Sequence, residues 1–495
     1  MRFERKQEEK KEHGYKRFAV ILAAVYVIAI AALLVTTFMV GVIPMKYFAV
    51  IIAVLLIISF FILRSLLRKP QRPGKGNKPA KESKKRIASV FAIIMILISS
   101  VGTYYMANTL DFFGKISGTQ QTHEYYVIVR AESDYDNLND ISGQTVGLMN
   151  LNDEVYTQAQ ERLKGKVQVE FETIGTFDSL ASALISGQSD VIFMNSAYYE
   201  LALEEVDGFT AETVRILDTV DITVDVQANA KAVNVTKEPF NVYISGLDTT
   251  GSIGNISRSD VNMVMTVNPQ TRTILLTSIP RDYYVDLATK GAKDKLTHSG
   301  LYGIDETTAT VENLLGIDIN YYVKVNFTTV VKLVDTLGGI TVNSDYSFSA
   351  RGLDGQTYSF TAGENYLNGQ AALAFSRERY SFASGDNQRV KNQQAVITGI
   401  INKCTGSSTV LTNYNGILNS LEDNIQTNMT QSEISSLVRM QLGDMRGWTI
   451  KRCSLTGSGM MTPVYSIPNY NVYVMVPNES SISEAKTQIN TVMGK

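Results

Sequence analysis

Cysteine, histidine and tryptophan are scarce in this 495-residue chain, at two, three and one respectively. Two cysteines supply no disulfide framework, and neither Cys404 nor Cys453 stands in a spacing suited to zinc or to a thiol nucleophile. A bond between these two is open wherever the compartment is oxidising. No histidine belongs to a serine-triad or metal-ligand pattern. A net charge is also nearly missing, at −2. That total conceals a division: residues 1–86 carry eighteen Lys and Arg against five Asp and Glu, and the rest carry 28 against 43. An acidic main body repels nucleic acid rather than collecting it, which excludes that partner.

The basic end is explained by what lies between its charges. Three apolar runs, 18–40, about 45–63 and 87–107, each approach the roughly twenty residues a helix needs to cross a bilayer. The first is not a signal peptide: it is long, lacks a small-residue cleavage site and is followed by two further runs. Lys and Arg crowd 2–17 and 64–86, whereas the turn between the first two runs has only Lys46. The positive-inside rule puts the tail 1–17 and the loop 64–86 in the cytoplasm and everything after about residue 107 outside. The expectation is a multi-pass cell-membrane protein with its larger part extracellular.

Beyond the spans, 108–122 is polar and reads as a stalk. Strands near 125–130, 144–148, 167–172 and 190–194 alternate with helices at 154–163 and 177–185, the pattern of a small α/β domain over 123–222. The pieces 141–147 and 180–191 resemble one lobe of a solute-binding protein, a lobe that alone cannot clamp a ligand. A linker at 223–239 leads to strands at 241–245, 261–268, 273–279 and 321–326. Helices are expected at 307–315, 327–337 (stopped by Gly338-Gly339), 369–377 and 386–404. The second domain is placed at 238–405, with 406–495 as its C-terminal extension.

This second domain concentrates arginine at element ends. In Ser257-Arg258-Ser259-Asp260 the Arg and Asp are i, i+2 and share a side of an extended stretch. Arg281 closes a strand in Ser278-Ile279-Pro280-Arg281-Asp282, and Asp248 follows another. Arg377 and Arg379 face one ligand only if the helix before them ends near Arg377. Asp386 caps the next helix and puts Gln388 and Arg389 in its first turn, where the helix dipole favours a phosphate. Guanidinium forks match phosphate oxygens in pairs, and aspartates hold a hard divalent cation, so this set asks for a pyrophosphate or phosphodiester with magnesium. Asp282 reads as a structural partner of a nearby arginine. His298 is either a phosphate donor or a structural loop residue.

These pieces resemble the catalytic domain of the LytR-CpsA-Psr family over about 240–402: Gly246-Leu247-Asp248, Ser257–Met263, Ser278–Asp282, Lys295-Leu296-Thr297-His298, Phe375–Arg379 and Asp386–Val390. Three spans and an extra external domain resemble its streptococcal capsule-locus branch. The resemblance implies an α-β-α fold with a central sheet and an apolar pocket for a polyprenyl chain, beside the smaller α/β accessory domain. It also implies transfer of a glycopolymer, a capsular polysaccharide in that branch, from polyprenyl (undecaprenyl) pyrophosphate to peptidoglycan. Capsule-assembly membrane proteins are the implied neighbours. By position Asp248 and Asp260 would hold magnesium and, with Arg281, serve catalysis. Arg258, Arg281, Arg377, Arg379, Gln388 and Arg389 would hold the pyrophosphate. Two other functions fit the same residues, a regulator of capsule expression and a polyprenyl-pyrophosphate hydrolase that passes the phosphate to water.

Overall fold

The computed structural model describes residues 2–68, 80–116, 120–151, 153–225, 230–247, 253–406, 414–421 and 424–495. The chain forms two compact units, one of Met1–Lys115 with Thr430–Arg446 and one of Ile116–Met429 with Gly447–Lys495.

In the first unit, α1 (Arg2–Val40), α2 (Met45–Leu67) and α3 (Ala80–Ile116) contain three segments long and apolar enough to cross a membrane. Their mutual contacts are small: Tyr26 and Ser59 share a hydroxyl hydrogen bond of 2.8 Å, and Ala23, Ala88 and Ala92 are buried between helices. A Cβ on Gly102 would lie 2.7 Å from Leu33, so glycine there permits close helix approach. Ile28, Phe38, Phe61 and Leu97 stay exposed, as suits side chains that face lipid rather than water. The expected stalk over 108–122 is not irregular: α3 continues through Ile116, and the next strand opens at Gln120. Residues 108–116 keep apolar positions at helical spacing (Leu110, Phe113), and Phe112, Phe113 and Ile116 are buried.

The second unit begins with β1 (Gln120–Arg130), β2 (Thr145–Met149), α4 (Glu154–Lys166), β3 (Glu170–Gly175), α5 (Phe177–Ile185), β4 (Val191–Asn195), α6 (Ser196–Glu205) and β5 (Val214–Asp225). The sheet order is β3-β2-β4-β1-β5. β2 runs parallel to β3 and β4, and β1 antiparallel to β4 and β5. Every residue of β4 is buried, as expected of a continuous apolar strand covered on both faces.

The larger domain follows with β6 (Phe240–Leu247), β7 (Val261–Asn268), β8 (Thr273–Ile279), the hairpin β9 (Tyr284–Asp286) and β10 (Lys293–Lys295), α7 (Ile304–Leu315), β11 (Tyr321–Asn326) and α8 (Phe327–Thr336). Then come β12 (Ile340–Ser344), β13 (Phe348–Arg351), β14 (Thr357–Phe360), β15 (Gly363–Leu367), α9 (Gly369–Arg377), α10 (Asp386–Gly406), α11 (Tyr414–Leu421) and β16 (Ile425–Thr427). The chain ends with α12 (Gln431–Asp444), β17 (Thr449–Ser454), β18 (Gly457–Val464), β19 (Ile467–Pro477) and α13 (Glu479–Met493).

The central sheet is ordered β16-β11-β6-β7-β8-β17. On one face Tyr243, Val264, Leu275 and Ile279 pack with Val311 and Leu315 of α7 and Ile482 and Ile489 of α13. On the other, Gln394 of α10 donates to Leu276 O at 3.3 Å and to Ser278 Oγ at 2.9 Å. Helices therefore cover both faces, an α-β-α arrangement.

The β3-β2-β4-β1-β5 sheet and the elements from β6 onward, α12 excepted, lie in one compact unit and share one apolar core, so the boundary expected between 222 and 238 is not a break in packing. Ile256, Leu301 and, from β18 and β19, Val464, Val472 and Val474 join the cluster built on Ile128, Phe193 and Leu201. In the first unit, α12 meets the end of α1: Ser435 Oγ donates to Val40 O at 2.8 Å, Arg439 Nε to Gly41 O at 2.7 Å, and Lys46 Nζ to Gly443 O at 2.8 Å. These partners satisfy carbonyls that a helix C-terminus otherwise leaves unpaired. Cys404 and Cys453 are free thiols, so the bond open from sequence is not formed.

Candidate functional site

The site grows from the edges of β6, β7 and β8. Strand pairing holds Asp260 just before β7, where its N–H donates to Gly246 O at 2.9 Å. Ser259 beneath it is buried, accepting from Ser245 Oγ at 2.9 Å and donating to Val261 O at 2.9 Å. Gly300 backs this loop closely: a Cβ there would sit 2.5 Å from Ser257 O and 3.2 Å from the Arg258 Cα. Any side chain at 300 would push Arg258 out of place.

Arg281 leaves the end of β8 with its carbonyl bonded to Thr297 N at 2.8 Å, and its Nη1 donates to Asp260 Oδ1 at 2.9 Å. Arg389 lies in the first turn of α10 and pairs with Asp386, the residue that opens that helix. Arg258 gives both terminal nitrogens to Glu204 of α6, at 2.7 and 2.8 Å.

The Nε atoms of Arg281 and Arg389 are buried and, among the described residues, have no hydrogen-bond partner. Asp282 Oδ2 stands 3.7 Å from Arg281 Nε, beyond hydrogen-bond reach, so both guanidinium groups keep a sheltered donor that an anion would complete. Burial alone would push the Asp260 carboxyl up, but Arg281, Arg258 and Arg389 outweigh it and hold that carboxyl below its ordinary range. Glu204 is likewise held down, chiefly by its bond from Arg258, while burial pushes Glu200 up.

The other expected ligands lie as follows. α9 ends at Arg377, as a shared ligand for Arg377 and Arg379 requires. The Arg377 guanidinium lies 4.5 Å from the centre of the Phe327 ring, and Arg379 stacks on Tyr380 at 4.6 Å. Burial pushes the Arg389 guanidinium pKa down, and the charges of Arg281 and Arg379 act in the same direction. Gln388 is turned inward, donating to Asp345 Oδ2 at 3.2 Å and Asn392 Oδ1 at 3.1 Å. Asp248 lies outside the described residues. His298 is structural: fully buried, its Nδ1 stands 2.9 Å from Asp294 Oδ1 and 2.8 Å from Ser466 Oγ. Asp282 stands 3.7 Å from Arg281 Nε and 4.0 Å from Lys295 Nζ.

Sequence reasoning missed Glu200 and Glu204. They are i, i+4 on one helix face, but nothing local to them signals an arginine in the next domain. Among the described residues no group of three or more His, Cys, Asp or Glu side chains gathers as a metal cage. Of the two expected magnesium ligands only Asp260 lies among the described residues, and its Oδ1 accepts from Arg281.

At the strand ends of the layered sheet, guanidinium groups surround one ionised carboxylate, Asp260. Residues 211–491, which start after α6, match the LytR_cpsA_psr family, and the chain belongs to the LytR-CpsA-Psr family. It is similar to the polyisoprenyl-teichoic acid–peptidoglycan teichoic acid transferase TagU of Bacillus subtilis strain 168, at 38% identity over 260 residues, which are 52% of this chain and 79% of the relative. The protein of the same name from Enterococcus faecalis V583 is 36% identical over 261 residues, 52% of this chain and 81% of the relative. The crystal structure of B. subtilis TagU shares 37% identity and covers 52% of this chain and 98% of that one, with a TM-score of 0.41.

Proposed function

We propose that this protein transfers a glycopolymer from a polyprenyl pyrophosphate carrier to peptidoglycan on the outer side of the cell membrane. The observation that carries this reading is the pair of buried Nε donors of Arg281 and Arg389, which have no hydrogen-bond partner among the described residues, with Arg281 held on Asp260. The names of the relatives, which are teichoic acid transferases acting on polyisoprenyl-linked polymer and peptidoglycan, support the reaction class. The basic segments 2–17 and 64–86 support a cytoplasmic N-terminus and an external larger unit.

In this reading an acceptor hydroxyl attacks the sugar-proximal phosphorus. One P–O bond forms to the acceptor oxygen and one breaks to polyprenyl phosphate, while the acceptor's proton ends on solvent or the departing phosphate. Arg281 and Arg389, with Arg258 and Arg379 beside them, bind and orient the pyrophosphate and stabilise charge growing on the leaving oxygen. Asp260 is held ionised by three guanidinium groups and is a poor base; its part is to fix Arg281. Asp248 and Asp260 would hold magnesium, which would supply further positive charge at the phosphates.

The three spans and the accessory domain support a capsular polysaccharide as cargo, against the teichoic acid of the named relatives. The test is the full chain in lipid vesicles, given a polyprenyl-pyrophosphate-linked capsular or teichoic oligomer and peptidoglycan fragments. Mass spectrometry is expected to find the joined product with the capsular oligomer. Free phospho-oligomer without joined product would mean a hydrolase; product with the teichoic oligomer alone would replace the cargo.

A further inference from the structure

Glu204 lies outside the residues that carry the family match, yet it takes a phosphate-side arginine with both carboxylate oxygens. Its two oxygens take Arg258 Nη1 and Nη2 at 2.7 and 2.8 Å, a parallel two-bond pair. The Arg258 side chain is only 15% exposed, whereas that of Glu204 is 53% exposed. The arginine is thus the element sunk into the protein, and the glutamate reaches to it from the neighbouring domain. A long arginine side chain has many rotamers; a fork-to-fork carboxylate contact selects one.

Two of the five N–H donors of a guanidinium are spent on such a partner, and three remain for a ligand. The carboxylate does not therefore exclude a phosphate; it determines which edge of the guanidinium is offered to one. The clasp is also built on a fixed base. α6 belongs to the core that includes Leu201 and Phe193, and that core continues into Ile256, Leu301 and Val472 of the larger domain. Tyr470 Oη adds a hydrogen bond to Glu205 O at 3.3 Å, and Asn469 Nδ2 one to Asp178 Oδ2 at 2.9 Å. A detachable latch would not be packed into the hydrophobic core on both sides.

We propose that Glu204 of the accessory domain is a positioning residue for polymer transfer, holding Arg258 so that its remaining N–H groups meet the carrier's pyrophosphate. This inference rests on the transferase reading above. It gives the accessory domain a defined part in the reaction: it completes the phosphate site by orienting an arginine that the larger domain supplies.

The test is a double-mutant cycle in the full-length protein, with a polyprenyl-pyrophosphate-linked disaccharide as donor and peptidoglycan fragments as acceptor. Glu204→Gln keeps the shape and removes the second acceptor oxygen; kcat/KM for the donor is expected to fall about 10- to 100-fold, the usual effect of losing an orienting partner. The KM for the acceptor stays as in the wild type, the melting temperature falls by only a few degrees with the protein fully folded at the assay temperature, and Glu204→Asp recovers part of the loss in kcat/KM. In an Arg258→Lys background the Glu204→Gln change is expected to cost nothing further, because its effect passes through the guanidinium. An equal additional loss in that background would overturn the proposal, as would unchanged kcat/KM in the single variant. Tighter donor binding by Glu204→Gln would also overturn it, since Glu204 would then compete with the phosphate. Absence of transfer by the wild-type protein would instead count against the transferase reading, and the two failures are separable.

Discussion

Asp260 Oδ1 and Arg281 Nη1 stand 2.9 Å apart, joining the approach to β7 to the exit from β8. Each side chain is about one-fifth exposed, so the pair is sheltered without being sealed. Removing either partner leaves the other's charge poorly compensated, which makes the pair sensitive from both ends.

Arg281→Ala is expected to lower stability by about 2 kcal/mol, the scale of a lost charge-assisted hydrogen bond. It is also expected to abolish polymer transfer. Arg281→Lys retains the charge and recovers most of the stability without the activity. Denaturant midpoints and wall-bound against shed polymer check the two halves.

Asp260 contributes stability of a definite pH dependence. Its folded pKa is depressed, so the contribution is fully present above the unfolded value of about 3.9 and disappears as pH falls through the folded value. Asp260→Asn is therefore expected to melt below the wild type at pH 7 and to converge with it as the pH is taken below about 4. A gap that stays constant down to strong acid would show that the carboxylate's charge is not what matters.

Lys324 has the opposite behaviour. It is buried on β11 with its Nζ donating to Asn255 O at 3.2 Å, and burial pushes its pKa down to about 8. A lysine depressed in the folded state destabilises the protein at neutral pH and ceases to do so as pH rises from 8 toward its unfolded value of about 10.4. Wild-type stability is expected to climb across that window. Lys324→Met should flatten the climb and gain on the order of 2 kcal/mol at pH 7. Melting curves between pH 6 and 10 decide it.

Arg377 and Arg379 end a helix and rest on aromatic rings. Lysine at either position keeps the charge but loses the planar fork. Donor affinity is expected to fall several-fold in Arg379→Lys, measured by titration with the lipid-linked disaccharide. Unchanged affinity would return Arg379 to a surface role.

Orientation is checked by labelling intact cells with a membrane-impermeant maleimide, in a background lacking Cys404 and Cys453. A cysteine at exposed Ser142 is expected to react and one at Lys75 is not. The reverse pattern would place the larger unit in the cytoplasm.

Much of the fold is written locally. The strands Val261–Asn268, Thr273–Ile279 and Tyr321–Asn326 and the helices Phe177–Ile185 and Gly369–Arg377 have the bounds that alternation, turn residues and helical spacing indicate. α6 is weakly marked in sequence, because Tyr199 and Leu203 put apolar side chains beside the buried Tyr198, Leu201 and Ala202 and leave little amphipathic contrast. In the hairpin β18–β19 the first strand, with Gly457 and Gly459, is weakly marked in sequence and is determined by pairing with Val472–Pro477 of the second. For the site, Arg258, Asp260, Arg281 and Arg389 stand at element ends, where side chains can converge. Glu204 on α6 and Arg258 before β7 are 54 positions apart, and only tertiary packing brings them together. Gln388, legible as a first-turn residue, has its amide committed to Asp345 and Asn392 instead.

The bonds from Ser435 and Arg439 to the end of α1 change what a truncation can achieve. Cutting α3 after Ile116 severs one of three covalent crossings between the units, because the chain re-enters the first unit at Thr430 and leaves it at Arg446. A protease that nicks residues 117–119 would therefore leave the larger fragment in the membrane pellet, retained by α12. A recombinant fragment starting at Gln120 would still carry α12 but without the carbonyls that Ser435 and Arg439 satisfy. Soluble versions should replace α12 or cover it, and assays of transfer belong with the intact chain.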